Sequence, residues 1–134
     1  MNLTIVVKGR PAPQGSKRHV GNGRFIEASK FLPAWRKAVT AAAREVADDQ
    51  GWATKAGPVR VEVVFYLDRP SSISQTKRPW PIKPPDIDKL VRAVCDALTD
   101  AEVWLDDGQI VELCAEKHYN DTRESGCDIR VLEL

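Results

Sequence analysis

Residues 58–67, PVRVEVVFYL, alternate cleanly between two kinds of side chain. Val59, Val61, Val63 and Phe65 fall on one side, Arg60 and Glu62 on the other. Successive side chains of an extended chain point to opposite faces, so this pattern predicts a half-buried β-strand. Its apolar face needs a cover, and the flanking segments supply one. Upstream, residues 30–49 carry Phe31, Trp35, Ala38, Val39, Ala42 and Val46 at helical spacing, with Ser29 as the expected N-cap and Gly51 as the end. Downstream, Asp86 opens a second helix with Ile87, Leu90, Val94, Ala97 and Leu98 on its apolar face. Residues 3–7 read as a first strand. Residues 109–118 and 127–134 read as two last strands, joined by a polar turn around 120–126. The expected order is β-α-β-α-β-β. That is an α/β protein of the mixed α+β kind, one small mixed sheet covered by two main helices.

At 134 residues the chain suits one domain spanning 1–134, large enough to bury a core without disulfides. No run of about 18 apolar residues exists, so no transmembrane helix is expected. The N-terminus, MNLTIVVKGR, has no basic n-region and no cleavage site, which favours a strand over a signal peptide. Cys95, Cys114 and Cys127 are odd in number and show no C-x-x-C spacing. They read as reduced, mostly buried thiols of a cytoplasmic protein. His19 and His118 have no partner at metal-ligand spacing and read as ordinary polar positions.

The net charge of +1 hides an asymmetry. Residues 1–46 hold nine basic and two acidic side chains, whereas residues 86–134 hold five basic and thirteen acidic ones. A basic first part suits a polyanionic partner. An acidic second part approaches phosphate only with cations between, which points to a metal-dependent nuclease. Two halves that neutralise each other within one fold explain the same numbers equally well.

The chemistry concentrates in 83-KPPDIDKL-90. Pro84 and Pro85 keep the preceding backbone out of the helical region, so the helix starts at or just after Asp86. Asp86 then stands near the N-cap and Asp88 in the first turn, where the helix dipole favours anions. Two residues apart within a regular helix they would point about 200° apart. At a helix start the first carboxylate belongs to the entering loop, and the two can converge. Asp106-Asp107-Gly108 forms a second acidic turn. Taken singly, an Asp at an N-cap and an Asp-Asp-Gly turn are ordinary structural choices. Together they provide carboxylates that a divalent cation would neutralise, and oxygen ligands suit Mg²⁺ or Mn²⁺ better than zinc. No phosphate-binding glycine loop, dinucleotide fingerprint or nucleophile elbow is present, so no nucleotide cofactor is expected.

The stretch PPDIDKLVRAVCDALTDAEVWLDDGQIVEL resembles the signature of the RusA family of Holliday-junction resolvases, approximately D-x-D-N-L-x-K, then D-A-L, then D-D-x-Q-[IV]. The likeness runs from Asp86 to about Leu113. It includes Asp96-Ala97-Leu98 and Asp106-Asp107-Gly108-Gln109. The opening PAPQGSKR, the basic segment after it and Trp35 are similar to phage-type members. This resemblance implies a homodimeric endonuclease that cuts four-way DNA junctions symmetrically with Mg²⁺ or Mn²⁺. Its metal-binding aspartates fall on Asp86, Asp88 and Asp107, with Asp106 the lesser member of its pair. Two positions depart from the pattern. Lys89 stands where the family has Asn, and Arg92 where it has its catalytic lysine. Arg92 suits charge stabilisation but cannot shuttle a proton, while an i,i+4 ion pair with Asp88 or Asp96 explains it as well. Lys89 is the candidate to take over part of the lysine's role.

Branched DNA is the expected partner. Lys17, Arg18 and Arg24, in a Gly/Pro-rich segment, and Lys77, Arg78 and Lys83, on the Pro/Ser-rich loop 69–85, are the candidate phosphate contacts. Trp80 on that loop reads as a hydrophobic anchor, or as a base-stacking side chain. Two other readings stay open: a non-catalytic junction- or DNA-binding module, and a related nuclease acting on flaps or forks.

Overall fold

The computed structural model describes residues 1–15, 17–21, 25–27 and 29–134, the side chains of 17–19 and 25–27 excepted. In chain order the elements are strand β1 (Asn2–Lys8), a short hairpin of β2 (Lys17–His19) and β3 (Phe25–Glu27), and helix α1 (Leu32–Gln50). Strand β4 (Val59–Leu67) and helix α2 (Ile87–Asp100) follow, then a 3-10 turn over Asp107–Gln109 and strands β5 (Ile110–Tyr119) and β6 (Gly126–Glu133). The main elements keep the expected β-α-β-α-β-β order. The hairpin is an addition, built from a Gly-rich basic stretch too short and too polar to show strand alternation.

Four strands form one mixed sheet in the order β1-β6-β4-β5. β6 runs antiparallel to both β1 and β4, whereas β4 and β5 are parallel and joined by α2. β1, β4 and β5 therefore point the same way, and their C-terminal ends gather at one edge of the sheet. Central β4 carries the predicted alternation along its whole length, with Val59, Val61, Val63, Phe65 and Leu67 buried. Each such side chain contributes roughly 1.5–3 kcal/mol of transfer free energy.

The helices cover that apolar face. α1 buries Leu32, Trp35, Val39, Ala43 and Ala47 at three- and four-residue intervals, and α2 buries seven of its residues, Leu90 and Leu98 among them. Thr40 Oγ1 donates to the Ala97 carbonyl (3.3 Å), tying the two together. The indoles of Trp52 and Trp104 are buried with their N–H groups satisfied, by Val103 O (3.0 Å) and Thr99 Oγ1 (2.7 Å). Gly51 closes α1 in the left-handed conformation (φ 64°), as its position suggested.

Two boundaries differ from the sequence reading. Ser29 does not cap α1: Phe31 holds the N-cap position with no side-chain cap, and Ser29 only accepts from the Leu32 N–H (3.4 Å). Pro33, within the first turn, delays the start because its ring dictates where helical φ begins. Gln109 precedes β5 rather than opening it, since its side chain is engaged elsewhere. Cys114 is exposed, while Cys95 and Cys127 are buried.

Burial, and after it the charges of Asp107 and Asp96, push the Cys95 thiol up to about 12. Burial also pushes Cys127 upward. The thiolate is the reactive form. At pH 8 a disulfide reagent should therefore label Cys114 rapidly and reach Cys95 and Cys127 only after unfolding, which a stopped-flow thiol titration with and without denaturant checks.

Candidate functional site

The residues singled out in the sequence distribute over α2 and the elements packed on it. Asp86 is the N-cap residue of α2, extended at φ −72° and ψ 140°. Its carboxylate makes no capping hydrogen bond and instead lies 3.8 Å from Lys89 Nζ. The stabilising role that most readily explains an aspartate there is thus not in use. Asp88, in the first turn, is exposed, and among the described residues its carboxylate has neither a hydrogen bond nor an ion pair.

The second acidic turn places its two aspartates differently. Asp106 caps the 3-10 turn: its carboxylate accepts from the Gly108 N–H (3.3 Å), and Gln109 Oε1 accepts from the Asp106 N–H (2.9 Å). Gln109 also receives Leu105 N–H and donates to the carbonyls of Lys55 and Gly57, each at 2.9 Å, so it bolts the turn to the chain before β4. Asp107 is left exposed with no such bond among the described residues. Its charge is felt at Cys95, two helical turns beyond Asp88.

The three aspartates thus share α2 as their support but do not form one ready cage. Among the described residues, no three His, Cys, Asp or Glu side chains come together in a way that could hold a metal ion. Asp86 and Asp88 at one helix start still suit a hydrated divalent cation, because Mg²⁺ commonly keeps several waters and takes one or two carboxylates.

Lys89 faces this acidic end, and its carbonyl accepts from the Gln14 N–H (3.0 Å). Gln14 Nε2 donates in turn to Asp96. With Asp96 so engaged, Arg92 forms no ion pair with it or with Asp88 among the described residues. Its exposed guanidinium instead lies against Gly15, where an added Cβ would meet Nη1 at 3.0 Å. The surface ion pair that offered a bland account of Arg92 is absent. These contacts dock the segment before β2 onto α2, and the side chains of Lys17 and Arg18 lie outside the described residues. Arg24 lies outside the described residues.

The loop 69–85 is more organised than its composition suggests. Arg69 grips both carboxylate oxygens of Asp121 (2.8 Å each), stacks over Tyr119 at 4.0 Å and donates to the carbonyls of Ser74 and Arg78. This holds Lys77 and Lys83 exposed and Arg78 half-buried. Trp80 does not anchor the loop by burial. It is 58% exposed, its ring 5.3 Å from that of His118. Pro84-Pro85, a cis bond, then leads into Asp86.

Lys117 was missed by motif reading. On β5 it follows Leu113 and Ala115 on the face toward the helices, a lysine in an apolar register, and that break in alternation was the available signal. Its Nζ donates to the carbonyls of Pro85 (2.9 Å) and Lys83 (3.2 Å), fixing the chain immediately before Asp86. Lys117→Met should cost roughly 2 kcal/mol in urea unfolding, because charge-assisted bonds to two carbonyls are lost. It should also lower any activity that depends on Asp86 placement, with Lys117→Arg recovering part of both.

The sequence profile of endodeoxyribonuclease RusA matches residues 7–131, a span that holds every aspartate discussed above. The chain belongs to the endodeoxyribonuclease RusA family. Bacillus subtilis (strain 168) has a protein similar to this RusA-family chain, the uncharacterized protein YqaN, 28% identical over an alignment of 129 residues that covers 89% of each chain.

Proposed function

We propose that this RusA-family protein is a divalent-metal-dependent endonuclease that resolves four-way DNA junctions by paired, symmetric cuts. The observation that carries this reading is the state of its aspartates. Asp86 sits at an N-cap without capping, and Asp88 and Asp107 are exposed and unpaired among the described residues. When bound, Mg²⁺ or Mn²⁺ supplies an acidified water and a counter-charge for the departing oxygen. Asp86 and Asp88 hold that ion at the start of α2, and Asp107 adds its charge further along the helix.

The reaction is hydrolysis. A water oxygen bonds to phosphorus, the bond from phosphorus to the 3′ oxygen breaks, and the 3′ oxygen takes up a proton. The products are a 5′-phosphate and a 3′-hydroxyl. Arg92 offers a bidentate guanidinium to the charge that grows on the phosphate, and Lys89 an ammonium beside Asp86. Lys17, Arg18, Arg24, Lys77, Arg78 and Lys83 bind phosphates on the flanks and set a steep salt dependence. The protein works as a homodimer, since two cuts must be placed symmetrically. Exposed Leu105, Val111 and Leu113, near the acidic turn, are apolar surface that a second copy would cover. No described helix is long and apolar enough to cross a membrane, and three free cysteines suit the reducing cytoplasm.

A labelled synthetic four-way junction incubated with Mg²⁺, Mn²⁺ or EDTA tests the proposal. Paired nicks at symmetric positions, present with either metal and lost with EDTA, are expected. Preferential cutting of flaps or forks would move the substrate assignment. Metal-independent binding without nicks would replace it with a non-catalytic module.

A further inference from the structure

Asp86 borders a cavity of about 550 Å³ that the hydrolytic reading leaves unused. It lies where the C-terminal ends of β1 and β4 meet the N-terminal ends of α1 and α2. Arg10 and Phe31 line one part, Leu67 and Pro85 another, and Asp86 and Lys89 a third. Its size falls within the roughly 300–1,000 Å³ of small-ligand sites.

Its walls combine two kinds of surface. The Arg10 guanidinium lies 3.7 Å over the centroid of the half-exposed Phe31 ring. A planar cation stacked on an aromatic ring keeps its outer face available for a second flat group, the arrangement by which proteins hold splayed-out bases. Leu67 and Pro85 add an apolar lining. Toward Asp86, the Lys89 ammonium is the nearest cation of α2, and α1 begins close by with no side-chain cap and no acidic residue in its first turn. Two cations, Arg10 and Lys89, therefore stand beside the flat surface, facing the carboxylates of Asp68 and Asp86, and they suit a group carrying both a ring and a phosphate turned to the Lys89 side.

We propose that this cavity receives one unstacked nucleotide of the DNA, its base against Arg10 and Phe31 and its phosphate toward Lys89. The proposal rests on the endonuclease reading and deepens it by naming a device for structure selectivity. A base in continuous duplex must be unstacked before it can enter, and that cost is lowest where pairing is already broken. The cavity would thus favour branch points without reading sequence.

Two arms test this separately from catalysis. In the first, thymidine 5′-monophosphate and 2-deoxyribose 5-phosphate are titrated into ¹⁵N-labelled protein. The nucleotide should shift the amides of Arg10, Phe31 and Lys89, the sugar phosphate should bind at least about fivefold more weakly, and Arg10→Ala should weaken the nucleotide about tenfold. Equal responses to both compounds would reduce the cavity to a phosphate site and overturn the proposal. In the second arm, a junction with 2-aminopurine at the branch point is bound by the Asp88→Asn protein. Its fluorescence should rise on binding, and Arg10→Ala in that background should remove the rise while the junction stays bound. An unchanged rise would overturn the proposal. A junction bound no better than duplex would count against the junction reading itself, leaving the nucleotide titration to decide the cavity.

Discussion

Asp88→Asn should lower metal-dependent cleavage of a four-way junction by at least about a thousandfold, while junction affinity holds or rises. The magnitude follows from the stabilisation a bound metal supplies, several kcal/mol at about 1.4 kcal/mol per tenfold in rate. The structure makes this substitution unusually clean. Asp88 is exposed and its carboxylate has no hydrogen bond or ion pair among the described residues, so its amide should leave stability within about 0.5 kcal/mol. Its neighbours offer no such control. Asp86→Asn also weakens the contact with Lys89, and Asp106→Asn disturbs the capped turn. Binding should tighten because a negative charge beside a polyanion is removed, and the gain should shrink as salt rises. Gel-shift titration and single-turnover cleavage on one junction read both effects. Loss of binding in a folded variant would remove Asp88 from the metal-binding role.

Gly126→Ala should cost about 3 kcal/mol or more, the largest single loss of stability foreseen for this chain. Gly126 opens β6 at φ +154° and pairs with Lys8. A Cβ there would stand 2.0 Å from the Val7 carbonyl oxygen, backbone that cannot move without parting the two strands. Steric overlap and an unfavourable φ then act together. Two glycines calibrate the effect. Gly57 meets nothing within 4 Å of an added Cβ, so its alanine variant should be near neutral. Gly51 has equal space but sits at φ +64°, and its variant should lose about 1 kcal/mol from the αL cap alone. Urea unfolding of the three gives the ranking, and equal midpoints would contradict it. Activity should fall with Gly126→Ala as well, because β1 leads directly into Arg10 and the cavity wall beside Asp86.

Residue by residue, the site was unevenly legible. The D-x-D at a helix start was readable because two prolines and a helical apolar pattern bracket it, and α2 does begin at Ile87 with Asp86 as its N-cap. The preference for Asp107 over Asp106 came from resemblance; in the structure Asp106 caps the 3-10 turn and Asp107 does not. Arg92 stayed ambiguous in sequence because its competing partners, Asp88 and Asp96, are both at ion-pairing distance along a helix. The Gln14 side chain, 82 residues away in the chain, takes Asp96 and removes one of them. Lys117 left only a break in the alternation of β5 as a signal, and the carbonyls that it and Arg69 hold before Asp86 carry no sequence signature of their own.

Local periodicity determined the element order and which face of β4, α1 and α2 turns inward, because burial demands apolar side chains at two- or 3.6-residue intervals wherever the chain goes. Composition, read separately, showed that the acidic residues gather in residues 86–134. Tertiary structure alone decided that β6 inserts between β1 and β4, bringing three strand ends and two helix starts to one edge. It alone set Asp107 beside Cys95, away from the start of α2, and stacked Arg10 on Phe31 at the cavity. Those placements depend on contacts between residues distant in sequence, whose free energies belong to pairs of side chains and to no single stretch of the chain.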